Sequence, residues 1–143
     1  MEPITVKIKR LDKTVPLPAF AYEFDAGLDI RSSESFTLQP QERKLAKTAL
    51  VFEIPPHFVG LVWDKGSTAN KGLHTMAGVL DCNYRGELFI ALINLSAQPI
   101  TIAKGDKIAQ LLIQPVNHAN IREVDSVSET ARNDKALGSS GHR

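Results

Sequence analysis

The chain is predicted to fold as one all-β domain, a sandwich or barrel, and three observations carry that prediction. Short runs of strand type recur along it: Ile4 to Ile8, Leu50 to Ile54, Phe58 to Trp63 and Leu88 to Leu95. Turn formers punctuate those runs at Pro16, Pro18, Pro40, Pro55, Pro56, Gly60, Gly72, Gly86, Pro99 and Gly105, spacings that suit strands of ordinary length and leave little room for helix. Nothing repeats at a period that would indicate a solenoid or propeller.

Ile4 to Ile8 alternates apolar and polar residues, as a half-buried strand does. Leu50 to Ile54 is apolar but for Glu53 and stops at Pro55-Pro56, and Phe58 to Trp63 is largely apolar. Ser67 to Lys71 is the one plausible helix, a short turn halted by Gly72. Val79 and Leu80 end an apolar run, Asp81 to Gly86 supplies turn chemistry, and LFIALIN from Leu88 to Asn94 resumes the strand pattern, which together read as a β-hairpin with Asp81 and Tyr84 at its mouth. Lys107 to Ile113 is a last strand. The pattern fades from about Asn117, and after Val127 the apolar residues are Ala131, Ala136 and Leu137, so residues 1–127 are expected to form the β domain and 128–143 a flexible C-terminal tail.

A chain of 143 residues fits one domain that buries about 68–70% of its unfolded surface. With 17 Lys plus Arg against 16 Asp plus Glu, no overall field argues for stable nucleic-acid binding or for an anionic membrane, and a small-molecule partner is expected. Cys82 is the single cysteine, which excludes an intrachain disulfide and suits a reducing compartment. Met1-Glu2-Pro3 opens no signal peptide and no apolar run approaches a membrane span, so a soluble, cytoplasmic protein is expected. The histidines, His57, His74, His118 and His142, lack partners at zinc-ligand spacing.

Taken singly, the polar residues in these segments have commonplace readings. Asp81 is a turn carboxylate, Tyr84 a partly buried hairpin aromatic with a wet hydroxyl, Gly78 a turn glycine, Asp29 a turn acid after Gly27, and Gln110 an outward-facing position in a strand. The tail reads as a disordered terminus, although Arg132 with Gly138-Ser139-Ser140-Gly141 supplies a cation, flexible amides and two hydroxyls that could wrap phosphate oxygens.

Company changes the odds. Ala77 to Glu87, AGVLDCNYRGE, closely resembles the third signature motif of the trimeric dUTP pyrophosphatases (dUTPases). Ala26-Gly27-Leu28-Asp29-Ile30 resembles the first motif of that family and Gly105-Asp106-Lys107-Ile108-Ala109-Gln110-Leu111 the fourth. Lys65-Gly66-Ser67-Thr68-Ala69 and Arg132 to Gly141 stand where the second and fifth belong, in degenerate form: Lys65 and Gly66 replace Arg and Ser, Asn133 and Ala136 replace glycines, and Leu137 replaces the phenylalanine that stacks over uracil.

The resemblance implies an all-β jelly roll that assembles as a homotrimer with active sites shared between subunits, and the magnesium-dependent hydrolysis of dUTP to dUMP and diphosphate. It implies that Asp81 holds the attacking water and the 3′-hydroxyl, and that Tyr84 covers the deoxyribose face. Backbone at Gly78, Val79 and Leu80 would read uracil, and Asp29 would hold Mg2+ through coordinated water. Lys65, Gly66, Ser67 and Gln110 would contact phosphates; lysine keeps the charge of the family's arginine but not its bidentate fork. Arg132, Leu137, Gly138, Ser139 and Ser140 would close over the nucleotide.

Two other readings share the fold. In the related dCTP deaminases a general-base glutamate lies in the strand after the hairpin, where this chain has Ala91. A non-catalytic, nucleotide-binding regulatory protein would keep the pocket, and the degenerate second and fifth motifs are its support.

Overall fold

A computed structural model describes residues 3–76 and 78–136, and among these described residues there are ten strands and one helical turn. In order they are β1 (Lys7–Arg10), β2 (Leu28–Arg31), β3 (Phe36–Leu38), β4 (Arg43–Glu53), β5 (Phe58–Trp63), α1 (Gly66–Ala69), β6 (Leu73–Thr75), β7 (Val79–Leu80), β8 (Glu87–Asn94), β9 (Ile100–Ile102) and β10 (Lys107–Pro115). They form two four-stranded antiparallel sheets, β1-β4-β8-β6 and β2-β10-β5-β7, and a β3-β9 ribbon. The architecture is all-β and compatible with a jelly roll; the sheets stay separate rather than closing into a barrel.

One core joins both sheets. The first contributes Leu50, Phe52, Ile90 and Leu92, the second Ile30, Leu80, Ile108 and Leu111, and each of these is almost wholly buried. Period-two alternation explains β8, where Leu88, Ile90 and Leu92 point inward and Phe89 outward. The polar Asn94 ends that inward row without cost, because its Nδ2 donates to the carbonyls of Leu38 (3.0 Å) and Gln98 (2.8 Å) and its Oδ1 accepts from Ser96.

Phe58 to Trp63 coincides with β5 and Lys107 to Ile113 lies within β10. The helix forms one residue earlier than expected, and the chain turns out of it through Gly72 at φ +86°, a value that suits glycine. Of the run Leu50 to Ile54, Leu50 to Glu53 end the longer β4, whose first half turns Arg43, Leu45 and Lys47 outward and was not recognised from composition.

The hairpin expected around Asp81 is replaced by a crossing between sheets. β7 pairs with β5, placing Leu80 opposite Gly60, and the Val62 amide donates to the Gly78 carbonyl at 2.7 Å. β8 pairs with β4 on one edge and, at Leu92 to Asn94, with β6 on the other, and β7 pairs with neither edge of it. Residues 81–86 therefore link two layers rather than two partners of one ladder.

Candidate active site

Asp29 is not the turn acid its neighbours suggested. It lies in β2, opposite Gln110 of β10, and is 7% exposed. Lys65 Nζ donates to its Oδ1 at 2.6 Å and Lys107 Nζ to its Oδ2 at 2.5 Å. Burial pushes this carboxyl up, but the Lys107 and Lys65 ammoniums outweigh that cost and hold it below the usual carboxylate range. Two cations on one anion leave the trio with a surplus positive charge, directed toward whatever approaches the lysines.

Gln110 stands between Asp29 and Trp63 in the sheet. Its Nε2 donates to the Asp64 carbonyl at 2.8 Å, and a Cβ on Gly27 would press on its Oε1, so a side chain there would displace the Gln110 amide. Asp64 is a residue the sequence reasoning missed. Its carboxylate accepts from Thr75 N (2.7 Å) and Thr75 Oγ1 (2.8 Å) and contacts His74 Nδ1 at 2.6 Å, tying β5 to β6. Burial raises its carboxyl and the bonds to His74 and Thr75 lower it, with a net shift downward. Lys107 was likewise passed over; its signal was a cation beside Gln110 in the same strand.

Gly66 and Ser67 are exposed at the start of α1, where the amides of Thr68 and Ala69 already bond the Lys65 carbonyl. Thus Asp29, Lys65, Gly66, Ser67 and Gln110 gather at one end of the β2-β10-β5 sheet.

Asp81 is exposed, and among the described residues its carboxylate has no hydrogen-bond or ion-pair partner. The Tyr84 amide donates to the Asp81 carbonyl at 3.1 Å, and the Tyr84 hydroxyl donates to the Glu87 carbonyl at 3.1 Å, folding the ring back across Gly86. A Cβ on Gly86 would meet that ring. The loop is anchored at its far end: Glu87 Oε1 accepts from the Ala49 amide and Thr48 Oγ1 donates to the Leu88 carbonyl, which seals the bulge where the β4-β8 register shifts. Val79, Leu80, Asp81 and Tyr84 line a crevice of about 240 Å³ with Glu87 and Phe89; it contains none of the phosphate-binding candidates. Gly78 borders the neighbouring hollow beside Trp63 and His74.

Arg132 is exposed, and its Nε donates to the Lys135 carbonyl at 3.0 Å within the tail. Leu137, Gly138, Ser139 and Ser140 lie outside the described residues. No group of three or more His, Cys, Asp or Glu capable of holding a metal occurs among the described residues. Asp29, with a lysine on each oxygen, fits a magnesium ion only through the water that the ion keeps.

A dUTPase family model matches residues 13–141. The deoxyuridine 5′-triphosphate nucleotidohydrolase of Anaeromyxobacter sp. (strain Fw109-5) is 39% identical over 97% of this chain and 99% of its own length. The enzyme of the same name from Corynebacterium glutamicum is 40% identical over 95% of this chain and 94% of its own. Among solved structures, the dUTPase of Staphylococcus bacteriophage 80alpha with dUpNHpp superposes with a TM-score of 0.90 at 30% identity, covering 96% of this chain and 98% of that one. A variant dUTPase of phage phi11 of S. aureus, described as coordinating a structural Mg(II) ion, superposes with a TM-score of 0.82 at 26% identity, covering 88% of this chain and 100% of the other.

Proposed function

Because the chain belongs to the dUTPase family, we propose that it hydrolyses dUTP to dUMP and diphosphate. The observation that carries this reading is Asp81: an exposed carboxylate, unpaired among the described residues, on a loop fixed at both ends, inside the motif that resembles the family's third. Asp81 orients the water whose oxygen bonds to the α-phosphorus as the bond from that phosphorus to the α,β-bridging oxygen breaks, and it also holds the 3′-hydroxyl. Tyr84 covers the sugar face, and the backbone of Gly78, Val79 and Leu80 reads uracil. Lys65, Gly66, Ser67 and Gln110 receive the phosphates, and Arg132 with residues 137–140 closes over them.

Magnesium, when bound, neutralises triphosphate charge, and Asp29 is the residue that would face its water shell. That role requires Lys65 or Lys107 to turn from Asp29 to a phosphate oxygen, an exchange open to both because their side chains remain partly exposed. The sugar-binding crevice and the phosphate-binding cluster are separate surfaces of one chain, which supports a homotrimer whose sites take the loop, the cluster and the tail from different subunits. Within each chain, residues 1–127 would be the β domain and 128–143 the closing tail. No helix of the described residues is long and apolar enough to cross a membrane; a cytoplasmic location rests on the lone cysteine and on the dUTP substrate.

Diphosphate release from dUTP in the presence of magnesium tests the reading. The unmodified chain should turn over dUTP, and Asp81→Asn should lower the rate about 10²–10⁴-fold with the fold intact. Absence of release by the unmodified chain would favour the regulatory alternative; phage dUTPases such as that of 80alpha are described as controlling transfer of virulence genes.

A further inference from the structure

Gln110 can serve a phosphate oxygen only through its nitrogen, and the residue that decides where that nitrogen lies is Asp64. Gln110 Nε2 donates to the Asp64 carbonyl at 2.8 Å, while Oε1 lies on the side of Gly27. A carbonyl accepts only from the nitrogen of an amide, so this bond fixes which end of the Gln110 side chain is which. With one N–H on Asp64, the second N–H of the same nitrogen is left to donate to a phosphate. Turned over, the amide would offer Oε1 in its place, an acceptor against an anion. Asp64 itself lies one residue beyond the last pair of the β5-β10 ladder, Trp63 opposite Gln110, so the ladder does not aim its carbonyl. Its own carboxylate does: Oδ1 accepts from Thr75 N at 2.7 Å and Thr75 Oγ1 at 2.8 Å, and Oδ2 contacts His74 Nδ1 at 2.6 Å. Residue 64 is thereby pinned to β6 on one side and carried by β5 on the other.

We propose that Asp64 is a positioning residue for substrate: its carboxylate, held by Thr75 and His74, aims its own carbonyl at Gln110 and so keeps the Gln110 amide a donor toward the triphosphate. This role rests on the proposed binding of phosphate by Gln110. Asp64 touches no part of the nucleotide in it. The carboxylate acts on β6, the carbonyl on β10, and the substrate meets only the amide that results.

Calorimetric titration of dUpNHpp, with magnesium, into the full chain tests this. Asp64→Ala should raise the Kd about tenfold, as loss of a hydrogen bond to a charged group does. Asp64→Asn should stay within about twofold of the parent, because the carboxamide oxygen still accepts from Thr75 and its NH2 donates to the His74 ring nitrogen. In a Gln110→Ala background, Asp64→Ala should cost almost nothing more, since the group it positions is gone. A merely structural role would lower the number of binding sites rather than the affinity of those that remain, and would do so whatever stands at position 110. Unchanged Kd in Asp64→Ala, an Asn variant as weak as the Ala variant, or the full cost repeated in the Gln110→Ala background would each overturn the assignment. Should Asp64→Ala fail to fold, Thr75→Val removes one bond to the carboxylate and should weaken dUpNHpp about threefold where Gln110 is present; equal binding there would overturn the assignment as well. A failure of the hydrolysis reading shows separately, as a lack of diphosphate release from dUTP by the unmodified chain.

Discussion

Protonating Asp29 would strand two ammonium groups against a neutral, buried carboxyl. Because the folded carboxyl sits below its unfolded value, near 3.9, the trio contributes its full stability above that pH and loses it as pH falls through the folded value. Asp29→Asn should therefore cost on the order of 2 kcal/mol at neutral pH, less than a fully buried pair because both lysines reach solvent. Melting temperatures from pH 2 to pH 7 should fall less steeply in acid for the variant than for the parent. Tyr84→Ala should narrow the ratio of kcat/KM for dUTP over UTP, and Gly86→Ala should do so in part, by pushing the ring off its place. Such roles were unevenly legible. Asp81, Tyr84 and Gln110 stood out because they sit inside contiguous motifs. Asp64 did not, since its bonds reach His74 and Thr75, ten and eleven residues on, and nothing local in the chain signals them.

The bulge in β4 is the device that sets the active loop. Ala49 adopts φ +56°, a strained value for a residue with a Cβ, and is held there by the Glu87 carboxylate accepting from its amide. Glu87→Ala should cost about 1–3 kcal/mol by leaving a buried amide unpaired. Faster amide exchange across residues 81–86 than in the parent would show that the loop depends on it. Strand periodicity made β5, β8 and β10 legible, because their apolar faces are long enough to register. It missed β2, β3 and β9, which have three or four residues each. It also assigned β7 the wrong partner, since alternation reports which face is buried and says nothing of which edge is vacant.

At the scale of the molecule, the separation of the Asp81 crevice from the lysine cluster leads to a prediction about assembly. Refolding Asp81→Asn protein together with protein truncated after Ala131 should give activity above either parent, and sedimentation should report a trimer; a monomer would contradict the shared site. Leu137→Phe should raise kcat/KM for dUTP by at most about tenfold, since stacking a base on an aromatic is worth about 1–3 kcal/mol and leucine recovers part of it. The crossing of residues 81–86 between layers also bears on kinetics. The loop that carries Asp81 is held at one end by a strand of the β2-β10-β5-β7 sheet and at the other by a strand of the β1-β4-β8-β6 sheet, so an intermediate in which one sheet has formed leaves that loop tethered at one end only. Distant pairings of this kind close late because their loop entropy is lost before their contacts form. During renaturation, turnover should thus lag the fluorescence change of Trp63, the single tryptophan, which reports on β5 and its pairing with β10.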